Sequence, residues 1–229
     1  MRHRRREHDV GTWLVTGTNR GIGLELARQL HARGDTVIAA CRTSSPELAA
    51  IGCEVFDGID VASDDVGEAL DAALGDHTLD VVVNNAGLLR RGPLDDLDLE
   101  GAVAQFQVNT LGPLRVTSAV LPRLVSGSKV AIVSSRAGSI GDKPSGGMYG
   151  YRISKAGANM VGANLAHDLA PRGIHVVVLH PGFIRTEMTG GGGNENPDQS
   201  AAGLLERIDE LDASRSGRFF HAHGDEIPW

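Results

Sequence analysis

The sequence predicts a doubly wound α/β domain of the Rossmann type: a mostly parallel seven-stranded sheet with helices on both faces. Three observations point there. Short apolar runs alternate with helical stretches along the chain, a glycine-rich turn joins the first run to the first helix, and neither repeat nor linker divides the 229 residues. Strands are expected at Thr12–Thr16, Thr36–Ala40, 53–57, Leu79–Asn84, 130–134, His175–His180 and 218–220, each short, apolar and bounded by turn residues. Helices are expected over 22–33, 64–73, 97–125 with a break at Pro113, 148–170 and 197–211. Gly34 has the position of a helix-ending glycine, and Asn196-Pro197 reads as an N-cap followed by a first-turn proline. The glycines at 190–193 carry no side chains to pack and read as a mobile loop, either a lid or an inert connection.

Composition narrows the function classes. A net charge of −7 argues against a general nucleic-acid binder, and no stretch has the apolar length of a membrane span. The basic run Arg2-His3-Arg4-Arg5-Arg6 meets Glu7 and Asp9 at once, so residues 1–10 are expected as a disordered basic tail and 11–229 as one domain, in a cytoplasmic protein. Cys41 and Cys53 lie in apolar surroundings and are expected as reduced, packed thiols. His221-Ala222-His223 places two imidazoles on one strand face, yet no third ligand stands near, and no metal is expected.

The glycine turn is Thr16-Gly17-Thr18-Asn19-Arg20-Gly21-Ile22-Gly23. Its glycines permit a tight turn, let backbone amides approach a pyrophosphate and let the helix pack close to the strand, although packing alone also uses such turns. An acid at the end of the second strand would accept bonds from a ribose 2′-hydroxyl, whereas a cation suits a 2′-phosphate. Here Cys41-Arg42-Thr43 offers a cation, with Arg20 within reach, so NADP(H) is favoured over NAD(H) unless Arg42 is a plain surface residue. Asp60-Val61 follows the third strand and Asn84-Asn85-Ala86-Gly87 the fourth, small residues against which a flat ring can lie.

Tyr151 and Lys155 stand four apart, which on a helix brings phenol and ammonium to one face. Lysine is scarce, at Lys129, Lys143 and Lys155 among 22 Lys and Arg together. At an effective dielectric of ~20 and ~4 Å, the two charges attract by about 4 kcal/mol, an upper shift of about three pKa units. A solvated helix face is the alternative for the pair taken alone.

In this order, Thr16 to Gly23, Asn84 to Gly87, Ser135, Tyr151 with Lys155, and Pro181-Gly182 resemble the short-chain dehydrogenase/reductase family over nearly the whole chain. The stretch from Gly146 to Arg152 is similar to its carbonyl-reductase-like and C-factor-like branch, which includes proteins with signalling roles. The resemblance implies an NADP(H)-dependent carbonyl reductase or alcohol dehydrogenase. Tyr151 matches the acid/base, Lys155 the lysine that lowers its pKa and holds the nicotinamide ribose, Ser135 the serine that bonds the substrate oxygen, and Asn109 the anchor of a water relay. Gly17, Asn19, Arg20, Gly21, Ile22, Gly23, Arg42, Asp60, Val61, Asn85, Ala86 and Gly87 fall at the cofactor, as do Pro181, Gly182, Ile184 and Thr186 beside its nicotinamide end; Asn84 reads as a structural clasp.

The interval of sixteen from Ser135 to Tyr151 is longer than the family's commonest, and the shorter count lands on Gly138. A glycine-rich loop absorbs extra residues, so Ser135 is retained, with Ser139 as the second choice and Ser134 expected to point the other way. Leu88, Leu89, Arg90, Arg136, Tyr149, Phe183 and Met188 are candidates for a partly apolar substrate site taking a small carbonyl or alcohol. Pairing through the long helices would give a homodimer or homotetramer. A dinucleotide-binding signalling protein, a nucleic-acid contact through the arginine tail and isomerase or epimerase chemistry are the competing readings.

Overall fold

The computed structural model describes residues 10–229; the expected tail lies, but for Val10, outside the described residues. The elements are β1 (Thr12–Thr16), α1 (Gly21–Ala32), β2 (Thr36–Ala40), α2 (Pro46–Ala49), β3 (Glu54–Phe56), α3 (Val66–Leu74), β4 (Leu79–Asn84), α4 (Leu99–Phe106), α5 (Gly112–Val120), β5 (Leu124–Val133), α6 (Tyr149–Leu169), β6 (His175–His180), α7 (Pro197–Asp209) and β7 (Arg218–His221). They form one seven-stranded sheet in the order β3-β2-β1-β4-β5-β6-β7, with every neighbouring pair parallel. The chain order reverses between β1 and β4, and in such sheets ligands lie at the carboxyl ends of the strands beside that switch.

Strand alternation divides the core. Trp13, Val15, Val37, Ala39, Val81, Val83, Val177 and Leu179 pack with Leu26 and Leu30 of α1 and Leu204 and Ile208 of α7. Leu14, Ile38, Val82, Val130 and Val176 face the other way, against Leu70 of α3, Val116 and Val120 of α5, and Leu169 of α6. With both faces covered, the strands read as continuous apolar runs, which is why four of them are bounded in the sequence as they are in the fold.

Three expectations need correction. Pro113 does not break the long helix: a π-helical turn at Gln107–Leu111, with Gly112 N donating to Gln107 O, joins α4 to α5, and the irregularity falls just ahead of the proline, whose ring and missing N–H an unbroken α-helical ladder would not accept. That helix also stops at Val120, because Leu121–Arg123 turns the chain into a β5 that starts six residues earlier than expected. The glycines at 190–193 are no slack loop, since Gly190 N, Gly191 N and Gly192 N donate to Glu187 O, Thr186 O and Thr189 O at 3.0, 2.9 and 3.4 Å. Gly193 lies at φ 155°, and a Cβ there would stand 2.5 Å from Arg185 N, so the turn requires glycine. Helix α2 was not anticipated, although Ser45-Pro46 is an N-cap with a first-turn proline, the Ser45 hydroxyl accepting from Leu48 N at 3.2 Å.

The segment after β5 is held against α6 at backbone contact. A Cβ on Gly138 would lie 2.5 Å from the Lys155 carbonyl carbon and 2.7 Å from its oxygen. Gly138→Ala is therefore expected to push this segment off α6 and destabilise the protein by about 1–3 kcal/mol, read as a lower urea midpoint with an unchanged m-value.

Candidate functional site

A cleft of about 450 Å³ runs along the carboxyl ends of the central strands. Gly17, Asn19, Arg20, Gly21, Ile22, Gly23, Arg42, Asp60, Val61, Asn85, Ala86, Gly87, Tyr151, Lys155, Pro181 and Thr186 all line it. Gly182 and Ile184 do not: Ile184 is buried and its backbone bridges to Glu195, while Gly182 takes the turn at φ 98°. Cys41, Ile59, Val108, Val133, Ser134, Arg185, Glu187 and Pro197 line the cleft without having been anticipated, whereas Ser135 does not line it. Glu187 was illegible because its partner, Arg20, is 167 residues away in sequence.

At the glycine turn the residues fit a dinucleotide pyrophosphate. Helix α1 opens with extended Arg20 as N-cap, without a side-chain cap or an acid in its first turn, so its first N–H groups are left for an anion. A Cβ on Gly23 would sit 2.1 Å from Gly17 O, so glycine there brings the helix onto the turn. The Asn85 amide donates to Thr16 O and Gly17 O at 2.9 and 3.2 Å, tying the β4 turn to the glycine turn. Asn84 is the clasp expected of it, donating to Thr117 Oγ1 at 3.2 Å.

Two arginines edge the far end of the cleft. Arg20 pairs with Glu187 at 2.8 Å, both largely exposed. The Arg42 side chain, exposed at the end of β2, has no hydrogen-bond or ion-pair partner among the described residues. An acid does reach this neighbourhood, from β3 rather than β2: Asp57 Oδ1 lies 3.5 Å from Cys41 Sγ. Burial first, then this carboxylate, pushes the Cys41 thiol up to about 11.

The other end is built on α6, which starts abruptly at Met148, the non-glycine residue with positive φ (49°) among the described residues. The first three turns carry Tyr151, Ser154, Lys155 and Asn159. Ser154 Oγ accepts from Asn109 Nδ2 at 2.9 Å, and Asn109 also donates to Leu88 O and accepts from Leu88 N, both at 2.8 Å. Asn109 lies in the π-helical turn, fully buried behind the cleft. Among the serines, Ser135 is the one whose side chain acts on the Tyr151 phenol, favouring its ionised form, while its Oγ accepts from Ala137 N at 3.1 Å. Ser134 points into the helix, donating to Asn159 Oδ1 at 2.6 Å, and Ser139 donates to Pro228 O at 2.5 Å, away from the phenol.

The phenol and ammonium behave differently from the sequence expectation. Burial raises Tyr151 above its ordinary value, opposed by its Ser135 hydrogen bond and the charge of Arg91. Lys155, 5 % exposed, is pushed by burial down to about 8. Its Nζ donates to Val133 O at 2.9 Å and stands 5.9 Å from the Tyr151 ring centroid. Helical spacing does bring the pair to one face, but desolvation, which spacing does not report, is the largest influence on both groups.

Candidate substrate residues divide. Leu88 and Met188 line the main cleft, whereas Arg90 and Tyr149 line a second cavity. Leu89 lines neither, half-exposed Phe183 lies outside both, and Arg136 is paired with Asp142 at 3.0 Å. The histidines of the 221–223 motif stack at 4.7 Å, with His180 edge-on to His221 at 4.9 Å and His223 bonded to Glu195 at 2.9 Å. No group of His, Cys, Asp or Glu among the described residues is arranged to hold a metal ion. Nor is any described helix long and apolar enough to cross a membrane.

A parallel sheet with a switch point, an uncapped helix behind a glycine turn, and Tyr151 and Lys155 in one cleft with Ser135 acting on the phenol together define a dinucleotide-binding oxidoreductase. Residues 12–196 match the short chain dehydrogenase family, and the chain belongs to it. It is 47 % identical over 226 residues, covering 96 % of this chain and 100 % of the relative, to a 1-hydroxy-2-glutathionyl-2-methyl-3-butene dehydrogenase of Rhodococcus sp. (strain AD45). A C-signal protein of Myxococcus xanthus is 44 % identical over 154 residues, 66 % of this chain and 93 % of that one. In structure the chain resembles an NADPH-bound carbonyl reductase from chicken fatty liver, with a TM-score of 0.87 and 28 % identity, over 97 % of this chain and 100 % of that one.

Burial, then the charges of His221, Arg136 and Lys155, push His180 down to about 3. The unfolded chain binds this proton near pH 6.5 and the folded one does not, so stability should fall as pH drops below 6.5 toward 3. Urea unfolding at pH 7 and 5 is expected to show a loss of up to roughly 2 kcal/mol that is absent in His180→Leu.

Proposed function

We infer that this chain is an NADP(H)-dependent oxidoreductase that interconverts a carbonyl and an alcohol, with Tyr151 as the acid/base. What carries the reading is the meeting of Tyr151 and Lys155 in a cleft that also offers a pyrophosphate cradle and the cation Arg42, with Ser135 acting on the phenol. The nicotinamide, when bound, supplies or accepts the hydride at the reacting carbon. Ser135 and Tyr151 present two hydroxyls to the oxygen on that carbon, where negative charge grows during reduction. Tyr151 holds its proton at neutral pH and gives it to that oxygen. Lys155, still largely protonated at pH 7 with its pKa near 8, stands behind the phenol to restore it. Asn109 keeps Leu88 and Ser154 in register, so the loop and the helix that shape the reacting end move as one body.

For the cofactor, Arg42 on the cleft wall supports a 2′-phosphate, and Asp57, which does not line the cleft, is the weaker candidate for a ribose hydroxyl. The solved carbonyl reductase with NADPH leans the same way. A second reading of the substrate comes from the Rhodococcus relative, whose name is that of a 1-hydroxy-2-glutathionyl-2-methyl-3-butene dehydrogenase. In that case the same groups work in reverse, with Tyr151 as base. The relative named C-signal keeps a signalling role in view, but a partly buried Ser-Tyr-Lys group has no use in a pure sensor.

Two measurements check this. Tyr151→Phe is expected to lower kcat by about two to four orders of magnitude while dinucleotide binding, followed by fluorescence, changes little; near-normal turnover would remove the acid role. Arg42→Ala is expected to cut the ratio of NADPH to NADH kcat/KM by about tenfold, and an unchanged ratio would return Arg42 to the ordinary surface.

A further inference from the structure

Beside the main cleft lies a second cavity of about 180 Å³, between α4 and the first turn of α6. Leu97, Tyr149, Gly150 and Ile153 give it a largely apolar wall, and Arg90 and Arg91 stand at its edge. The two arginines differ. Arg90 is paired with Asp98 at 3.7 Å, another lining residue, and its backbone N–H is held by Gln105 Oε1 at 2.9 Å. Arg91 is exposed and has no hydrogen-bond or ion-pair partner among the described residues, although Asp95 and Asp96 follow in the same loop. Those two carboxylates do not line the cavity, so its lining carries two cations and one anion.

The cavity adjoins the reacting end of the cleft on two strands of covalent chain. Tyr149 and Gly150 in its wall precede Tyr151 directly, and Leu88 in the cleft is three residues from Arg91, a reach of about 10 Å at most. A substrate held with its oxygen at Ser135 and Tyr151 could therefore extend an arm across to Arg91. An apolar wall ending at an unpaired guanidinium suits an aliphatic or thioether arm tipped with a carboxylate, which the planar fork can bind through two hydrogen bonds.

We propose that this cavity is the substrate's distal subsite and that Arg91 binds a carboxylate there, so that the preferred substrates are carbonyls or alcohols that are also organic anions. The inference rests on the oxidoreductase reading above and adds to it the class of substrate. Its electrostatic side is consistent, since the charge of Arg91 already bears on the phenol. That influence is common to all substrates, so comparing an acid with its ester isolates the contact with the arm.

The test uses ω-formyl alkanoic acids of graded length and their methyl esters as probes, with the wild type, Arg91→Gln and Arg91→Lys. In the wild type, kcat/KM should favour the acid over its ester by about tenfold at the best arm length, the size of one charge-assisted contact, chiefly through KM. Arg91→Gln should bring the ratio close to one, and Arg91→Lys should restore part of it. Turnover of esters as fast as acids in the wild type, or a ratio that survives in Arg91→Gln, overturns the subsite and leaves the oxidoreductase reading standing. Failure of every probe to turn over with either nicotinamide cofactor overturns both.

Discussion

The site depends on the seating of α6 against the end of β5 and the π-helical turn beside it. Close approach is possible because α6 presents small residues on that side: added Cβ atoms would lie 2.7 Å from Thr110 at Gly157, 2.2 Å from Val178 at Gly162 and 2.7 Å from Gln105 at Gly150. With helix and sheet this near, polar groups between them must pair, and they do so in a fixed register. Thr110 Oγ1 donates to Ser154 O at 2.7 Å, and Ser134 Oγ to Asn159 Oδ1 and Lys155 O at 2.6 and 3.3 Å. One residue of slip along α6 would break each of these bonds at once. Tyr151 and Lys155 inherit their places from that register, and so does the distance from the phenol to Ser135.

Seating α6 so closely also sets the acidities. In water the ammonium is slightly the weaker acid, with ordinary values of 10.5 against 10.0 for the phenol. Burial disfavours the charged form of both, which lowers the lysine to about 8 and raises the tyrosine, reversing their order. On that order a phenolate at Tyr151 would be a stronger base than the neutral amine of Lys155. The sequence expectation had the cation acidify the phenol. Burial instead favours the neutral phenol at Tyr151 and makes the ammonium beside it easier to deprotonate.

Much of this was legible in the sequence because it follows from period and spacing. Four strands are bounded as expected, since their apolar runs end in turn residues, and the glycine turn, Arg42, Asp60, the β4 turn, Tyr151, Lys155, Pro181 and Thr186 come to one cleft because strand ends in a parallel sheet share an edge. The misses concern pairings between distant segments. The Arg20–Glu187 pair, the approach of Asp57 to Cys41 and the cluster of His180 with His221 are each set by which strands become neighbours, and residue type alone does not reveal that. The long interval after Ser135 is explained the same way. Ser139 and Gly141 N are tied to Pro228 O and Trp229 O, and Arg152 spans to Gly147 O and Ser145 Oγ, so the extra residues are pinned at their middle and the ends keep their spacing.

The placement of cations bears on how such a site does its work. The chain carries a net charge of −7, yet Arg42 on the cleft wall and Arg91 in the neighbouring cavity both stand without a hydrogen-bond or ion-pair partner among the described residues. Chemistry at a carbonyl offers little ground-state charge to grip, so attraction must come from parts of the ligands remote from the reacting atoms. A phosphate at one end and an anionic arm at the other would each be drawn by a cation that needs no partner broken first. Holding both ligands by their far ends leaves the reacting carbon and the hydroxyls to meet in one geometry, which is where most of the rate of a positioned hydride transfer arises. Arg20 already has Glu187, and Arg90 already has Asp98, so they are less available for that task than the two arginines without partners among the described residues.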